Sequence, residues 1–269
     1  ETDLRGNVWS WTYDSSERVT SATDPLNRMT TFAYGTTATT ITRPGGQTVV
    51  HHYSGGLIAS EVDEAGFSQA YTYDANENVL TYTNERGGVW NLTYDARGNV
   101  LTARNPLNQT YTYTYRATNE LLTQTNPLGQ VTTYSYDTSG NLTEVTDPLG
   151  RASSRFTYDT FGQPTSVKDA LSRTTTYAYN ANGDLTSVTD PAGTQTTVGY
   201  DTLGRVSFVR DAQNNQTDSV YDNWGRLTQV ISPGAATVSF GYDRNDNRTS
   251  ATDELSRTQS WTFDAANQL

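Results

Sequence analysis

The sequence predicts an all-β fold, an antiparallel β-hairpin solenoid of about 13 repeats of about 21 residues, coiled into a curved sheet. Three observations predict it. A Tyr-Asp position recurs along the whole chain, at Tyr13, Tyr34, Tyr53, Tyr73, Tyr94, Tyr115, Tyr136, Tyr158, Tyr179, Tyr200, Tyr221 and Tyr242, with Phe263 in the last unit. The step is 21 residues nine times, and otherwise 19, 20 or 22. Each unit carries two four-residue turn signatures, and the runs between them are rich in Thr, Tyr and Val, which suit a pleated surface.

The unit Tyr136–Arg151, YDTSGNLTEVTDPLGR, shows the logic. In Asp137-Thr-Ser-Gly140 the Asp opens a type I turn by accepting backbone hydrogen bonds, and the Gly supplies the left-handed residue of a bulged hairpin. In Asp147-Pro148-Leu149-Gly150 the proline also presets the backbone of the second place. The runs Val131–Tyr136 and Asn141–Thr146 read as strands. Leu142 and Val145 are three apart, so on a plain strand they face opposite sides; an odd period poses the same difficulty. The spacing predicts a one-residue bulge between them in most repeats, which turns both to one face. It also places Val145 opposite Ser153.

The chain departs from this unit at identifiable places. Glu17 and Glu77 stand where Gly is usual, which predicts turns that are distorted or of another type, because Glu is poor in the left-handed region. Asn119, Asp246 and Asn267 take the same place, and these residues tolerate positive φ better. Asn105 and Asn126 replace the leading Asp of the second turn and keep its side-chain bond. Residues 35–70 are irregular: Gly35 follows Tyr34, Arg43-Pro-Gly-Gly46 replaces DPLG, and His51-His52-Tyr53-Ser-Gly-Gly56 replaces the usual Tyr-Asp turn. The step to Tyr158 implies one inserted residue between Arg151 and Phe156. Pro164 gives up a ladder donor, so its strand is expected to be weak. Trp224 lies in a turn and is expected to be exposed or packed on a neighbouring hairpin.

The repeated pattern YDxxGRLTxVTDPLGR resembles the Rhs, or YD-repeat, family. The positions that carry the resemblance are Tyr94, Asp95 and Gly98; Tyr136, Asp137 and Gly140; Asp147, Pro148 and Gly150; Tyr158, Asp159 and Gly162; Tyr200, Asp201 and Gly204; and Tyr221, Asp222 and Gly225. The resemblance covers essentially all 269 residues. It implies a hollow shell of spiralling β-hairpins, as in bacterial polymorphic toxins, insecticidal toxin complexes and animal teneurins. It also implies a bacterial protein that is secreted or at the cell surface. In the toxin members the shell encloses a toxic C-terminal domain, and self-cleavage lies at or beyond the end of the shell. No motif for either is present here, so no catalytic residue carries over.

Composition bounds the rest. Removing Tyr and adding Gly leaves an apolar fraction of roughly 35%, against the usual 45–50%, too little to fill a thick core. The net charge of −11 disfavours nucleic acid as a partner. There is no Cys, hence no disulfide framework or thiolate zinc site, and no apolar run long enough for a membrane helix, so no membrane insertion is expected. The only His residues, His51 and His52, are adjacent, and neighbours on a strand point to opposite faces, which is a poor geometry for one metal ion. Asp243–Asn247 is rich in oxygen ligands but lacks the EF-hand spacing. Carboxylates such as Asp137 and Asp159 read as solvated turn residues rather than an acid/base pair. No catalytic, cofactor or metal site is therefore expected, and the chain is not expected to be an enzyme.

The leading expectation is a single array over residues 1–269, a piece of a longer chain, forming a passive wall that encloses or displays a toxin or other polypeptide cargo. About 26 strands spaced roughly 4.8 Å apart would run on the order of 120 Å, and a sheet of that length must curl. Its lining is expected to be Tyr and Thr. The alternatives are a carbohydrate-binding or adhesive module, with aromatic rows stacking on sugars, and a self-assembling extracellular filament. The first and last strands are expected to pair with flanking segments or with further copies of the chain.

Overall fold

The computed structural model describes residues 1–269. It contains no helix and 25 strands, β1 (Ser10–Tyr13) to β25 (Thr258–Ser260), in one antiparallel sheet. The count is one below expectation because β25 leads toward Phe263 and no strand follows the Asp264–Asn267 turn. Two compact units are distinguished: Glu1–Thr2 with Asn7–Tyr134, and Asp3–Gly6 with Ser135–Leu269. No residue in either is fully buried. The sheet is a single layer, as the low apolar content requires.

The expected bulge is the dominant irregularity. In the first unit β1 pairs with β2 (Val19–Thr23) as Thr12↔Ser21 and then Tyr13↔Val19, so Thr20 is the extra residue. The same place is bulged at Ala59, Leu80, Leu101 and Leu122. In the second unit it is bulged at Thr165, Thr186, Ser207, Thr228 and Thr249. The bulge lets residues three apart share a face.

Turn length and bulge together account for every odd period. The hairpin of β3 (Met29–Tyr34) and β4 (Ala38–Thr42) has a shorter turn, closed by Gly35 N–H donating to the Ala38 carbonyl (2.7 Å), and Tyr34↔Thr39 continues without a bulge. One turn residue and one bulge residue are missing, which gives 19. The hairpin of β5 (Thr48–Ser54) and β6 (Leu57–Val62) keeps its bulge but turns through Gly55 and Gly56 alone, which gives 20. Their φ values of 60° and 88° are the two positive angles of a type I′ turn. The long step of 22 comes from Ser153, bulged out of β15 (Ala152–Tyr158). Val145 therefore faces Ser154, not Ser153, and Ser153 Oγ donates instead to the Val145 carbonyl (3.0 Å).

One further expectation is corrected. The Glu17 and Glu77 turns are not distorted: both residues adopt the left-handed region (φ 60° and 66°), and Asp14 N–H still donates to the Arg18 carbonyl (2.9 Å). The left-handed cost of roughly 1–2 kcal/mol is offset by the turn hydrogen bonds. The strand expected to be weak at Pro164 runs over six residues. Pro164 stands first in this strand, β16 (Pro164–Asp169), a place where a missing donor is tolerated.

Strand alternation also separates the two residues expected to share the lining. In β11 (Thr110–Tyr115) Tyr111, Tyr113 and Tyr115 are half-buried, whereas Thr112 and Thr114 are exposed on the other face. The exposed face carries cross-strand hydroxyl pairs, such as Thr93–Thr102 (2.7 Å) and Thr114–Thr123 (2.6 Å). Tyr and Thr thus line opposite faces here. His51 and His52 likewise alternate, half-buried and exposed, and His51 Nε2 lies 3.6 Å from Glu61 Oε2 on the neighbouring strand.

Candidate functional site

The recurrent chemistry of this chain is at its turns. The leading Asp works as a three-way acceptor. Asp137 Oδ1 accepts from Ser139 N–H and Asn141 N–H (2.9 Å each), and Oδ2 accepts from Asn141 Nδ2 (2.9 Å). Asp201 does the same with Leu203 N–H (2.9 Å), Arg205 N–H (3.0 Å) and Arg205 Nε (2.7 Å). Asp147 repeats it with Leu149 and Arg151 on the other turn type. Gly140, at φ 86°, donates to the Asp137 carbonyl and closes the turn. Asn126 holds the two backbone bonds with its Oδ1 (3.0 Å each), so Asn can replace Asp.

These bonds fix the ionisation of the carboxylates. The Asn141 and Asn99 side chains, and then their backbone N–H groups, hold Asp137 and Asp95 below the usual carboxylate range. For Asp201 the Arg205 backbone N–H leads and the guanidinium follows. Burial alone would raise Asp222, but its bonds from Arg226 outweigh that and lower it. A carboxylate held this way is a weak base, the reverse of the tuning a general acid or base needs. The oxygen-rich stretch Asp243–Asn247 is committed in the same manner, since Asp243 accepts from Asn245 N–H, Asn247 N–H and Asn247 Nδ2.

The Tyr of most repeats has a partner that sequence reading missed. In β10 (Val100–Arg104) the bulge at Leu101 ends the pairing with β11 at Thr102↔Thr112. The Val100 carbonyl is left without a ladder donor, and Tyr115 OH donates to it (2.9 Å). The same bond joins Tyr34 to Val19, Tyr73 to Ile58 and Tyr94 to Val79 (2.7–2.8 Å) in the first unit. In the second it joins Tyr158 to Leu142, Tyr200 to Leu185, Tyr221 to Val206 and Tyr242 to Leu227 (2.8–3.0 Å). Tyr179 bonds the Pro164 carbonyl (2.9 Å). Burial pushes the Tyr94, Tyr115, Tyr158 and Tyr179 phenols above their ordinary value. The signal in the sequence was that this place is Tyr in twelve units and Phe in only one.

A second link joins neighbouring turns. Arg226 Nη1 donates to the Asp243 carbonyl and to Asp246 Oδ1 (2.9 Å each), and its guanidinium lies over the Tyr242 ring (4.9 Å). Arg97 Nη1 donates to the Arg116 carbonyl (2.9 Å), and Asn99 Nδ2 to Asn119 Oδ1 (2.8 Å). Asn119, Asp246 and Asn267 therefore do more than tolerate positive φ: each presents an acceptor that a glycine cannot. Asn267 Oδ1 accepts from Asn247 Nδ2 (3.0 Å) and from Arg5 Nη2 (2.5 Å). Arg5 belongs to the turn Asp3–Gly6, which lies in the second compact unit. There Arg5 also donates to the Asp264 carbonyl (2.8 Å) and pairs with Asp243 (3.4 Å). Trp224 is exposed, with the Arg226 guanidinium 5.0 Å from its ring.

The structure thus brings Tyr94, Asp95 and Gly98, and their equivalents at Tyr158, Tyr200 and Tyr221, into one repeated element: an acceptor turn, a left-handed closer and a phenolic bond to the preceding unit. These residues are distributed along the sheet rather than gathered into one pocket.

Comparison with known proteins bears on what this element is. The RHS Repeat family model matches residues 115–152, 158–195, 179–216 and 200–237. No curated protein matches by sequence. Among solved structures, TcdB2-TccC3 without its hypervariable C-terminal region aligns with 97% of this chain and 16% of its own length, at 15% identity and a TM-score of 0.83. The Photorhabdus luminescens Tc holotoxin pore aligns with 96% of this chain and 17% of its own length, at 13% identity and a TM-score of 0.66. At such identity the likeness is one of fold. The matched family is one of structural repeats, and no catalytic family is indicated. Turn chemistry, period and fold agree: residues 115–152 and 158–237 are RHS repeats, and the same turns and period continue along the chain on either side of them.

Proposed function

We propose that residues 1–269 form one array that serves as the passive wall of an Rhs-type shell, enclosing or displaying a polypeptide cargo outside a bacterial cell. The observation that carries this reading is a single-layer sheet in which no residue is fully buried. Both faces are therefore available, and every strong polar interaction described is spent within and between repeats. The half-buried tyrosine face offers aromatic surface and few fixed polar demands, which suits an unfolded chain held without sequence preference. The chain spans about one sixth of the TcdB2-TccC3 chain it resembles, so the cargo, the delivery route and the partners of a complete shell belong to the proposal. Turn residues such as Asp137, Asp147 and Asp222 have a structural role in it, in maintaining the wall.

The test is a titration of the protein with an unfolded polypeptide, followed residue by residue by NMR. The expected outcome is weak, non-saturating perturbation spread over Tyr113, Tyr177 and their equivalents in many repeats. Saturable binding of an oligosaccharide at one cluster of rings, with no response to polypeptide, would replace the wall by a carbohydrate-binding module.

A further inference from the structure

Two places before the Tyr of each repeat, a residue of the tyrosine face pairs directly with one on the next strand. In the first unit this pair is charged at one hairpin, His51↔Glu61. Elsewhere it is uncharged, as in Trp11↔Ala22, Phe32↔Ile41 and Leu92↔Ala103 in the first unit and Phe156↔Val167 in the second. An ion pair that is partly open to water adds little to stability, so folding does not explain why charge enters the face here.

The surroundings of Glu61 are specific. Its Oε2 lies 3.6 Å from His51 Nε2, beyond hydrogen-bond length, and its side chain is 45% exposed. On its other side Glu61 pairs with Gln69. Gln69 Oε1 accepts from Tyr71 OH (3.1 Å) and Tyr82 OH (3.3 Å), and Gln69 Nε2 donates to Glu85 Oε1 (3.0 Å). The two phenols are held in place by this acceptor, and their rings stack with centroids 5.3 Å apart. Burial, then Tyr82 and the Glu61 charge, push the Tyr71 phenol up, so Glu61 acts on that ring. Tyr82 covers one side of Tyr71. The other side is toward the strand that carries Glu61.

The chain itself shows what fits between a tyrosine ring and a carboxylate. Arg18 lies over Tyr34 (4.4 Å) and pairs with Asp14 (2.7 Å). Arg205 does the same with Tyr221 (4.6 Å) and Asp201 (2.7 Å). A guanidinium suits both partners, because its plane stacks on the ring while its N–H groups meet the carboxylate. Glu61 and Tyr71 are the same two partners, used by no arginine of the chain. Arg43, the arginine of this irregular stretch, is paired with Glu64.

We propose that Glu61 and Tyr71, backed by Tyr82 and Gln69, bind one arginine side chain of a polypeptide lying on the tyrosine face. The inference rests on the reading of that face as the one that meets a polypeptide, and gives it a single preferred side chain. His51 sets when the site is open. An imidazole gains charge on the acid side of neutrality, and a charged His51 claims Glu61 and repels a guanidinium. Thr39 faces His51 from the preceding strand, and Val49 and Tyr53 share its face of β5, so Glu61 is the charged group set against it.

Titration of the full chain with N-acetylarginine amide, followed by NMR at the Tyr71 and Tyr82 rings, tests this. Saturable shifts confined to those rings and their neighbours are expected at about pH 8, with affinity roughly tenfold lower at about pH 5. Glu61→Gln should weaken binding roughly tenfold. Glu144→Gln, which removes an equal charge from the opposite face, should leave it unchanged. His51→Gln should keep binding and remove its pH dependence. N-acetylcitrulline amide, which is uncharged, should not bind. Shifts that never saturate, that appear equally in other repeats, or that survive Glu61→Gln overturn the proposal, and so does equal binding of the citrulline probe. A pH dependence that persists in His51→Gln overturns the part given to His51. The wall is tested with an unfolded polypeptide lacking arginine, so failure of that reading and failure of this site are read in separate titrations.

Discussion

The hairpin β3–β4 and the hairpin of β7 (Ser68–Tyr73) and β8 (Val79–Thr83) solve the same problem differently. In β7–β8 the bulge at Leu80 frees the Val79 carbonyl, and Tyr94 of the next unit bonds it at 2.7 Å. In β3–β4 there is no bulge, and β4 pairs with β5 along its full length, from Ala38↔His52 to Thr42↔Thr48. No carbonyl is left over, and the hydroxyl of Tyr53, the next tyrosine in line, makes no such bond. At Thr20, Ala59, Leu80, Leu101, Thr165, Thr186, Ser207 and Thr228 the bulge leaves a carbonyl behind and the next tyrosine takes it. The phenol is therefore a repair for the bulge. The bulge in turn gives the strand its extra twist, so the repeated tyrosine is a consequence of the sheet's need to curve.

Acid should separate the two kinds of hairpin most strongly. The regular turns rest on carboxylates held below their ordinary value of 3.8 by side-chain and backbone donors, as at Asp74, Asp137 and Asp147. A lowered folded-state pKa contributes stability that is present above 3.8 and is lost as pH falls through the folded value. The turns at Gly35, Arg43 and Ser54 have no leading carboxylate. Below pH 3.8 amide hydrogen exchange should accelerate first in the regular repeats, and last across β3–β6. Uniform acceleration along the chain would contradict the role given to Asp.

A smaller effect is expected from the phenols. Tyr94→Phe strands a carbonyl and should cost about 1 kcal/mol in urea unfolding, whereas Tyr53→Phe should cost roughly nothing. Deleting Leu80 should convert β7–β8 to the unbulged form, and in that background Tyr94→Phe should become neutral. An unchanged cost there would show that the tyrosine serves something other than the bulge carbonyl.

The smallest effect concerns Glu77. Its left-handed backbone costs roughly 1–2 kcal/mol, and glycine gives back about 0.4–1 kcal/mol of that through the entropy of the unfolded chain. Glu77→Gly should therefore stabilise the protein by about 0.5 kcal/mol, read as a shift in urea midpoint at constant slope. Gly98→Glu in the next unit should do the opposite. Destabilisation by Glu77→Gly would mean that the Glu side chain contributes to its turn.

Much of this architecture was legible from residue types and spacing. The period gave the repeats, the DxxG patterns gave the turns, and the three-residue spacing of Leu142 and Val145 gave the bulge. What stayed hidden depends on partners that carry no side-chain signature. Tyr94 bonds a backbone carbonyl 15 residues earlier, and any residue type supplies a carbonyl. The grip of Arg226 on Asp246 needed the left-handed geometry before the acceptor at that place had a meaning. The Glu17 turn misled for a related reason. A preference of about 1 kcal/mol at one residue was weighed alone, when several turn bonds decide the outcome together.

A sheet with no fully buried residue also responds unusually to temperature. The heat-capacity change of unfolding is positive because apolar surface becomes hydrated, and exposed polar surface reduces it. Here little apolar surface is wholly hidden in the folded state, so the change per residue should fall below the usual 12–15 cal/mol/K. The stability curve then flattens. Cooling weakens the hydrophobic contribution, but a wall held chiefly by turn and ladder hydrogen bonds has less of that contribution to lose. Its resistance to opening should therefore be nearly the same in cold surroundings as in warm ones.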